Sequence, residues 1–171
     1  GLNVGEILSV NNLYSVTSEI SFDGSVGSSN IGGIIGDVGV AISNLRYGGY
    51  TFTNIVGSGS ISGDDYYADI KSSDPNLKFD LRTDLNLNES APTYIASIAL
   101  QHADLNALGI NHRDSVSVIS ANIGIDLQGV ISDGVDGYVS VADVEYDYPK
   151  GKINTDKIKL EFENKQQYKS I

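Results

Sequence analysis

The chain has 171 residues, and its 11 Lys and Arg against 22 Asp and Glu give a net charge of −11 at pH 7. An acidic body of this kind repels phosphate backbones, which argues against nucleic-acid binding. The chain has no Cys, so a disulfide framework, a thiolate metal site and a cysteine nucleophile are excluded. The length fits a single segment, residues 1–171, that is long enough to bury a core.

Two features suggest that the sequence is a piece of a longer protein. The chain has no Met, and Gly1 is typical of a cleavage scar or an internal boundary. No stretch approaches the roughly 18 to 20 apolar residues that a membrane helix needs, and no signal segment opens the sequence. We therefore expect any membrane anchor of the parent protein to lie outside this stretch.

Apolar and polar residues alternate in five segments, which predicts strands with one apolar and one polar face. In the clearest segment, Leu77 to Asn88, only Thr83 interrupts the apolar positions. Turn signals, among them Asp23-Gly24 and Gly48-Gly49, separate the segments and predict antiparallel hairpins. The other four segments contain Ile20, Phe22 and Val26, then Val38, Val40 and Ile42, then Tyr94, Ala96, Ile98 and Leu100, and finally Ile158, Leu160 and Phe162.

Irregularities in the pattern predict bends in these strands. Gly57, Gly59 and Gly124 lie inside strand patterns, where glycine permits a bulge or a close approach of backbones. The apolar parity slips after Val118 and again after Val141, which predicts a bulge near each position. The stretch from Ala103 to Leu108, stopped by Gly109, predicts one short helical turn.

The sequence contains none of the common catalytic motifs. It lacks a Gly-x-Ser-x-Gly elbow, a phosphate-binding glycine loop and a His-Glu-x-x-His pair. His102 and His112 flank the predicted turn and could meet Asp104 or Asp114 around a metal, but polar loop residues are the commoner role for such histidines. We therefore expect neither an enzyme nor a protein with a cofactor or metal site.

The apolar faces of the strands need a cover, because no predicted helical layer lies over them. Leaving a whole sheet face in water would forgo roughly 25 cal/mol per Å² of apolar burial. The face can be covered by a second sheet in a sandwich, by closure into a barrel, or by folding the sheet into an open trough that holds acyl chains. Composition alone favours the sandwich.

A set of segments in fixed order resembles the TamB family of translocation and assembly module subunits, within the wider AsmA-like group. The resemblance covers roughly residues 16–163 and follows residue classes rather than invariant positions. It is carried by Val40 to Tyr47, Thr51-Phe52-Thr53-Asn54-Ile55, Gly57 to Gly63, Asp74 to Phe79, Leu100 to Gly109 and Gly137 to Tyr146.

The resemblance implies an all-β fold in which a long antiparallel sheet is curled into a U-shaped trough with an apolar interior, the β-taco. It also implies a periplasmic location in a diderm bacterium, in a parent protein anchored in the inner membrane. This chain would be an internal segment from the C-terminal half of that parent. Its partners would be phospholipid acyl chains and, through other parts of the parent, an outer-membrane barrel protein.

The resemblance further implies that the apolar position of each strand lines a lipid groove for transport between the inner and outer membranes. Two other functions remain open: an assembly factor that presents a β edge or groove to nascent outer-membrane strands, and a structural β-sandwich of a surface protein. The expected groove-lining residues are Ile20, Phe22, Val38, Val40, Ile42, Leu77, Phe79, Leu81, Leu85, Leu87, Tyr94, Ile98, Leu100, Ile158, Leu160 and Phe162.

Overall fold

The computed structural model describes residues 13–26, 34–88, 90, 92–131 and 134–164. These residues form one antiparallel sheet of nine strands, in which each strand pairs with its neighbours in sequence order. The sheet is not closed, since β1 and β9 lie at its opposite edges. The strands are β1 (Leu13–Val26), β2 (Ile34–Tyr47), β3 (Tyr50–Ser62), β4 (Asp65–Asp74), β5 (Leu77–Asn86), β6 (Thr93–Asp104), β7 (Val118–Gln128), β8 (Asp136–Tyr148) and β9 (Gly151–Phe162).

The predicted all-β character is confirmed, and each of the five predicted segments lies in a strand. The predicted strand from Leu77 to Asn88 ends two residues early, at Asn86. It ends there because the backbone N–H of Leu87 donates to the carbonyl of Asp64 at 2.8 Å, in the turn between β3 and β4. The described residues contain no second sheet and no helix that could span a membrane.

Two of the glycine turn signals give different outcomes. Gly48-Gly49 forms the predicted turn between β2 and β3, and both residues have positive φ, 58° and 94°. Asp23-Gly24, by contrast, lies within β1. A Cβ on Gly24 would clash with the carbonyl oxygen of Ile35, so this glycine permits close pairing of β1 with β2 rather than a turn.

The short helical turn predicted from Ala103 to Leu108 is wrong as a helix. Ala103 and Asp104 are the last residues of β6, and residues 105–109 form a hydrogen-bonded turn. The turn contains one α-helical bond, from the N–H of Leu108 to the carbonyl of Asp104 at 2.9 Å, and one bond of the tighter 3₁₀ type, from the N–H of Gly109 to the carbonyl of Asn106 at 3.0 Å. The turn does not continue as a helix because Gly109, with φ of 75°, reverses the chain.

One of the two predicted bulges is confirmed. In β8, Asp143 has φ of 52°, and the register with β7 shifts by one residue beside it. No extra residue interrupts β7 after Val118: Val118 and Ile119 simply point to opposite faces, and the irregularity lies in β6 between Leu100 and Ala103. The bulge predicted in β7 near Val118 is therefore wrong in its strand, because the extra residue of this ladder lies in the neighbouring strand β6.

The described part of the chain buries few apolar side chains. Ala103, Leu108 and Ala121 are its buried hydrophobic residues, and large apolar side chains such as Ile20, Ile35 and Leu160 are exposed. A single sheet explains this pattern, because each face of the sheet can be shielded only by neighbouring side chains and by loops that fold over it.

Candidate functional site

The strand register places nearly all of the predicted groove residues on one face of the sheet, which we call the apolar face. Side chains directly opposite each other in an antiparallel pair point to the same side. Leu87 is the one exception, because it lies just beyond β5. The residues on this face are Ile20, Phe22, Val38, Val40, Ile42, Leu77, Phe79, Leu81, Leu85, Tyr94, Ile98, Leu100, Ile158, Leu160 and Phe162.

Solvent exposure on the apolar face rises from the central strands to the edges. The predicted residues of β2, β5 and β6 are half-buried, whereas Ile20 on β1 is 73% exposed and Leu160 on β9 is 58% exposed. The central side chains have neighbours on both sides, and the edge side chains have neighbours on one. Apolar surface is therefore most accessible at the two edge strands.

A row of small residues crosses the apolar face from β3 to β6, and we call it the furrow. Its floor consists of Gly59, Ala68, Thr83 and Ala96, which lie directly opposite one another in successive strands. The rows on either side carry large apolar side chains, so the floor is lower than both of its walls. The walls are Ile61, Tyr66, Leu85 and Tyr94 on one side, and Ile70, Leu81 and Ile98 on the other.

Gly57 lies at the β3 end of one wall of the furrow, directly opposite Ile70. At Gly57 an added Cβ would lie 3.1 Å from Cγ1 of Val40 and 3.3 Å from Cγ1 of Ile70, so these two side chains close over the glycine. A concavity of about 270 Å³ covers the β3 to β5 part of the furrow and reaches Val38 on β2, with Ala68 and Thr83 in its lining. The lining residues include no ionisable group other than tyrosine.

Sequence reasoning missed the furrow floor and the β4 part of its walls. The alternation of Tyr66, Ala68 and Ile70 was a usable strand signal for β4. The small residues gave no comparable signal. Thr83 looked like an interruption of an apolar pattern, and the register shows it beside Ala68 and Ala96 on the floor.

A polar cluster lies where β4 ends, at the margin of the apolar face. The carboxylate of Asp74, fully buried, accepts four hydrogen bonds: from the Tyr50 hydroxyl at 2.7 Å, the Thr53 N–H at 2.8 Å, the Thr53 hydroxyl at 3.0 Å and the Asn76 N–H at 2.9 Å. The amide of Asn76 also donates to the Tyr50 hydroxyl at 3.0 Å. Every buried side-chain polar atom among the described residues is satisfied.

The ionisation of this cluster follows from its contacts. Burial tends to raise the pKa of Asp74, but the hydrogen bonds from Tyr50, Asn76 and Thr53 outweigh burial and lower this pKa below its usual range. Burial, and then the hydrogen bond to Asp74, raise the pKa of Tyr50. At neutral pH the cluster therefore holds one carboxylate and one neutral phenol, an arrangement suited to closing a strand end rather than to proton transfer.

The loop from residue 105 to residue 117 is fastened to the same end of the sheet. Its fully buried Ser117 shares a hydrogen bond of 3.0 Å with the hydroxyl of Tyr146, and the amide of Asn111 donates to Ser117 at 3.0 Å. Register places Tyr146 opposite Ile119, on the apolar face. Hydrogen bonds therefore hold the loop of residues 105–117 against one margin of the apolar face.

The predicted alternative of a metal at His102 and His112 finds no geometric support. Within the described ranges, no three His, Cys, Asp or Glu side chains lie close enough together to hold a metal ion.

The face of the sheet opposite the apolar face carries exposed ion pairs, such as Arg82 with Asp69 at 3.1 Å and Lys71 with Asp80 at 3.5 Å. Pairs this exposed contribute little to stability.

The described chain thus belongs to a simple structural class: one open antiparallel sheet with a polar face and an apolar face. Comparison with protein-family models, with curated proteins and with solved structures finds no match to this chain.

Proposed function

We propose that the apolar face binds the acyl chains of phospholipids, with the furrow as the main binding path. The observation that carries the proposal is the alignment of Gly59, Ala68, Thr83 and Ala96 into a low row between two rows of large apolar side chains. A hydrocarbon chain laid along this row would cross the strands and contact both walls.

The chemistry of the furrow favours a hydrocarbon over a peptide. The sheet's backbone N–H and C=O groups are committed to neighbouring strands, so the centre of the face offers a ligand few hydrogen bonds. A peptide strand placed there would leave its own backbone groups unpaired, at a cost of about 1 to 3 kcal/mol each. An acyl chain has no such groups, and each methylene removed from water contributes about 0.8 kcal/mol.

The repetition of the furrow suits movement along it. Successive strands offer similar apolar side chains at intervals of about 4.8 Å, so a chain that advances by one strand exchanges one apolar contact for another. The furrow lining includes no Lys or Arg that would hold a phosphate at one position. We therefore propose passive sliding, in which a sheet folded over into a trough shields the tail from water.

The wider setting of this activity is also a proposal. The resemblance to the TamB family supports a periplasmic segment of a longer, inner-membrane-anchored protein that carries phospholipid between the two membranes of a diderm bacterium. An outer-membrane barrel partner would be contacted by other parts of that protein. The chain's own contribution would be to shield the lipid tails.

The test uses the chain produced in a bacterial periplasm and purified without detergent, followed by native mass spectrometry and lipid extraction. Ala68→Leu fills the furrow floor with an apolar side chain, whereas Ala99→Leu makes the same change on the opposite face. We expect phospholipid to copurify with the wild type and with Ala99→Leu, and to be reduced at least tenfold with Ala68→Leu. Titration with a fluorescent polyene fatty acid gives the same comparison in equilibrium form.

Phe79→Asp and Leu81→Asp extend the test to the walls and their neighbours. Each places a carboxylate on the apolar face, and loss of lipid with retained β-sheet circular dichroism would support the proposal. A wild type that carries no lipid and no fatty acid would overturn it. Equal lipid on Ala68→Leu and Ala99→Leu would place the lipid elsewhere.

A second candidate function rests on the edge strand β1. Its 14 residues carry Glu19 and Asp23 but no Lys, Arg or Pro, the residues that commonly protect an edge against pairing. Such an edge could receive a nascent outer-membrane strand by β-augmentation, as an assembly factor would. Photo-cross-linking from Ser21, compared with Ser140 inside the sheet, would capture unfolded barrel strands at β1 alone.

A further inference from the structure

We infer that the segment from Lys157 to Glu163, which we call the edge segment, pairs antiparallel with the same segment of a second copy of the chain. Its sequence is Lys-Ile-Lys-Leu-Glu-Phe-Glu. It comprises the last part of β9 and the residue that follows, and among the described residues β9 pairs with β8 alone. This inference is independent of lipid binding.

The edge segment presents two chemically distinct faces. Ile158, Leu160 and Phe162 continue the apolar face, where they remain 51%, 58% and 40% exposed. Lys157, Lys159 and Glu161 lie on the polar face, because their partners in β8 are Ala142, Ser140 and Tyr138. Along this polar row the two lysines precede Glu161, and Glu163 follows β9 at the next position of the same alternation.

This order of charges is complementary to itself when reversed. With Leu160 opposite Leu160 of the second copy, Lys159 lies opposite Glu161 and Lys157 lies opposite Glu163, and the symmetry repeats both pairs. On the apolar face, Ile158 then lies opposite Phe162. Opposite charges and apolar pairs directly across two antiparallel strands are stabilising, so both faces favour the same register.

Neighbouring registers are disfavoured by the same charges. A shift that centres the pairing on Lys159 places Lys159 opposite itself, and a shift that centres it on Glu161 places Glu161 opposite itself. Like charges directly opposite are destabilising. A shift by one residue sets apolar side chains against charged ones, so the Leu160-centred register alone satisfies both faces.

The topology also selects this edge. Nine strands alternate in direction, so β1 and β9 run the same way. A second copy that adds an antiparallel strand and keeps its apolar face on the same side must therefore present the same edge, β9 to β9 or β1 to β1. The β1 edge has Glu19 and Asp23 but no cation, so only β9 has complementary charges.

In a single chain, Lys159 and Glu161 of the edge segment form an ion pair with each other. Nζ of Lys159 bonds Oε1 of Glu161 at 2.7 Å, two residues along the same face, and lies 4.5 Å from the ring centre of Tyr138. The Lys159 side chain is 42% exposed and the Glu161 side chain is 66% exposed. In the dimer the same charges would pair across the two-fold axis, and the two apolar faces would join into one surface.

The test is a charge exchange measured by sedimentation velocity and native mass spectrometry of the full chain. The wild type should show a species of twice the 18.2 kDa of one chain. The double variants Lys157→Glu with Lys159→Glu, and Glu161→Lys with Glu163→Lys, should each be monomeric because all cross-strand charges become alike. An equimolar mixture of the two should form a heterodimer, since every pair is then opposite.

Two matched controls separate this effect from net charge. Lys150→Glu with Lys152→Glu makes the same charge change at the other end of β9, and Glu19→Lys with Asp23→Lys makes the reverse change on β1. Both should remain dimeric. A monomeric wild type, a dimer that persists in both edge variants, or a mixture that stays monomeric while each variant keeps its β-sheet circular dichroism would overturn the inference.

A cross-link tests the register directly. Leu160→Cys places two thiols opposite each other on the two-fold axis, in a chain that has no other Cys. Mild oxidation should convert this variant to a disulfide-linked dimer at least tenfold faster than Ile153→Cys, which lies on the same strand outside the edge segment. Equal rates would contradict the Leu160-centred register, and cross-linking to a different protein would identify another occupant of this edge.

Discussion

Thr53 and Asp74, 21 residues apart in sequence, are joined by two hydrogen bonds at the point where β3 stops pairing with β4. The backbone N–H and the hydroxyl of Thr53 both donate to Oδ2 of Asp74, at 2.8 and 3.0 Å. The ladder between the strands ends at Ile55 and Ser72, next to Asn54 with φ of 54°. Beyond this point Thr53 has no partner residue in β4. The Asp74 carboxylate takes that role by accepting the hydrogen bonds from Thr53.

Asp74→Asn should destabilise the fold because the amide is a weaker acceptor and brings two donors into a site that already supplies four. Hydrogen bonds to charged groups contribute about 1.5 to 3 kcal/mol each, and we expect the free energy of unfolding to fall by about 2 to 3 kcal/mol. Urea unfolding at pH 7 measures it. The control is Asp69→Asn, which breaks an exposed ion pair with Arg82 and should lower the free energy of unfolding by less than about 1 kcal/mol. Equal losses for the two variants would show that the hydrogen bonds to Asp74 stabilise the fold no more than a surface ion pair does.

The stabilisation by Asp74 should disappear in acid. The folded state lowers the pKa of Asp74 below the value of about 3.9 expected for an unfolded chain. The contribution is therefore complete only above about pH 5, where the carboxyl is ionised in the unfolded chain as well, and it is lost as the pH falls through the folded-state pKa. The difference in unfolding free energy between wild type and Asp74→Asn should shrink from pH 5 to pH 2, and a constant difference would exclude this carboxylate as the cause.

Gly59→Ala should be destabilising, although alanine is normally the better residue in a regular strand. An added Cβ would lie 2.5 Å from the carbonyl oxygen of Tyr67, so the backbone of β3 or β4 must move. We expect a loss of about 1 to 3 kcal/mol, as for an overpacked core. At Gly124 the nearest atom is Oγ of Ser140 at 3.0 Å, a side chain that can rotate, so thermal unfolding of Gly124→Ala should resemble the wild type.

Tyr146→Phe should loosen the loop of residues 105–117 without unfolding the sheet. The change removes the hydroxyl that bonds Ser117 at 3.0 Å and Asn111 at 3.4 Å. Amide hydrogen exchange in the loop should become several-fold faster, while exchange in β4 and β5 stays the same. Tyr148→Phe keeps the ring that stacks on Tyr146 at 6.0 Å and is the matched control. Unchanged loop exchange would show that other contacts hold it.

The five strands with regular alternation, β1, β2, β5, β6 and β9, were predictable because alternation is a local property of one segment. Leu77, Phe79, Leu81 and Leu85 alternate with charged or polar residues, and they share one face of β5. The helix predicted after Ala103 failed for a related reason. A short run of helix formers has too few residues to stabilise a helix by itself, and pairing of Ala103 with Leu77 and Ile119 extends the strand into it.

The candidate site was only half predictable. Large apolar residues signal a buried or ligand-binding face wherever they alternate, and the predicted residues of β2, β5 and β6 do lie on one face. The small residues that make the furrow carry no such signal. Ala68 or Thr83 alone looks like a weak position in a strand, and only their alignment gives them a joint role.

By itself, the sequence determined the all-β class, the two-faced strands and the charge order Lys-Ile-Lys-Leu-Glu-Phe-Glu, because side-chain alternation is a property of a single strand. The tertiary structure alone decided that Gly59, Ala68, Thr83 and Ala96 form one row, that Asp74 closes a strand end, and that β9 lies at an edge. These features depend on register between strands. Register is set by the sum of many cross-strand contacts and turn geometries, which no single segment contains.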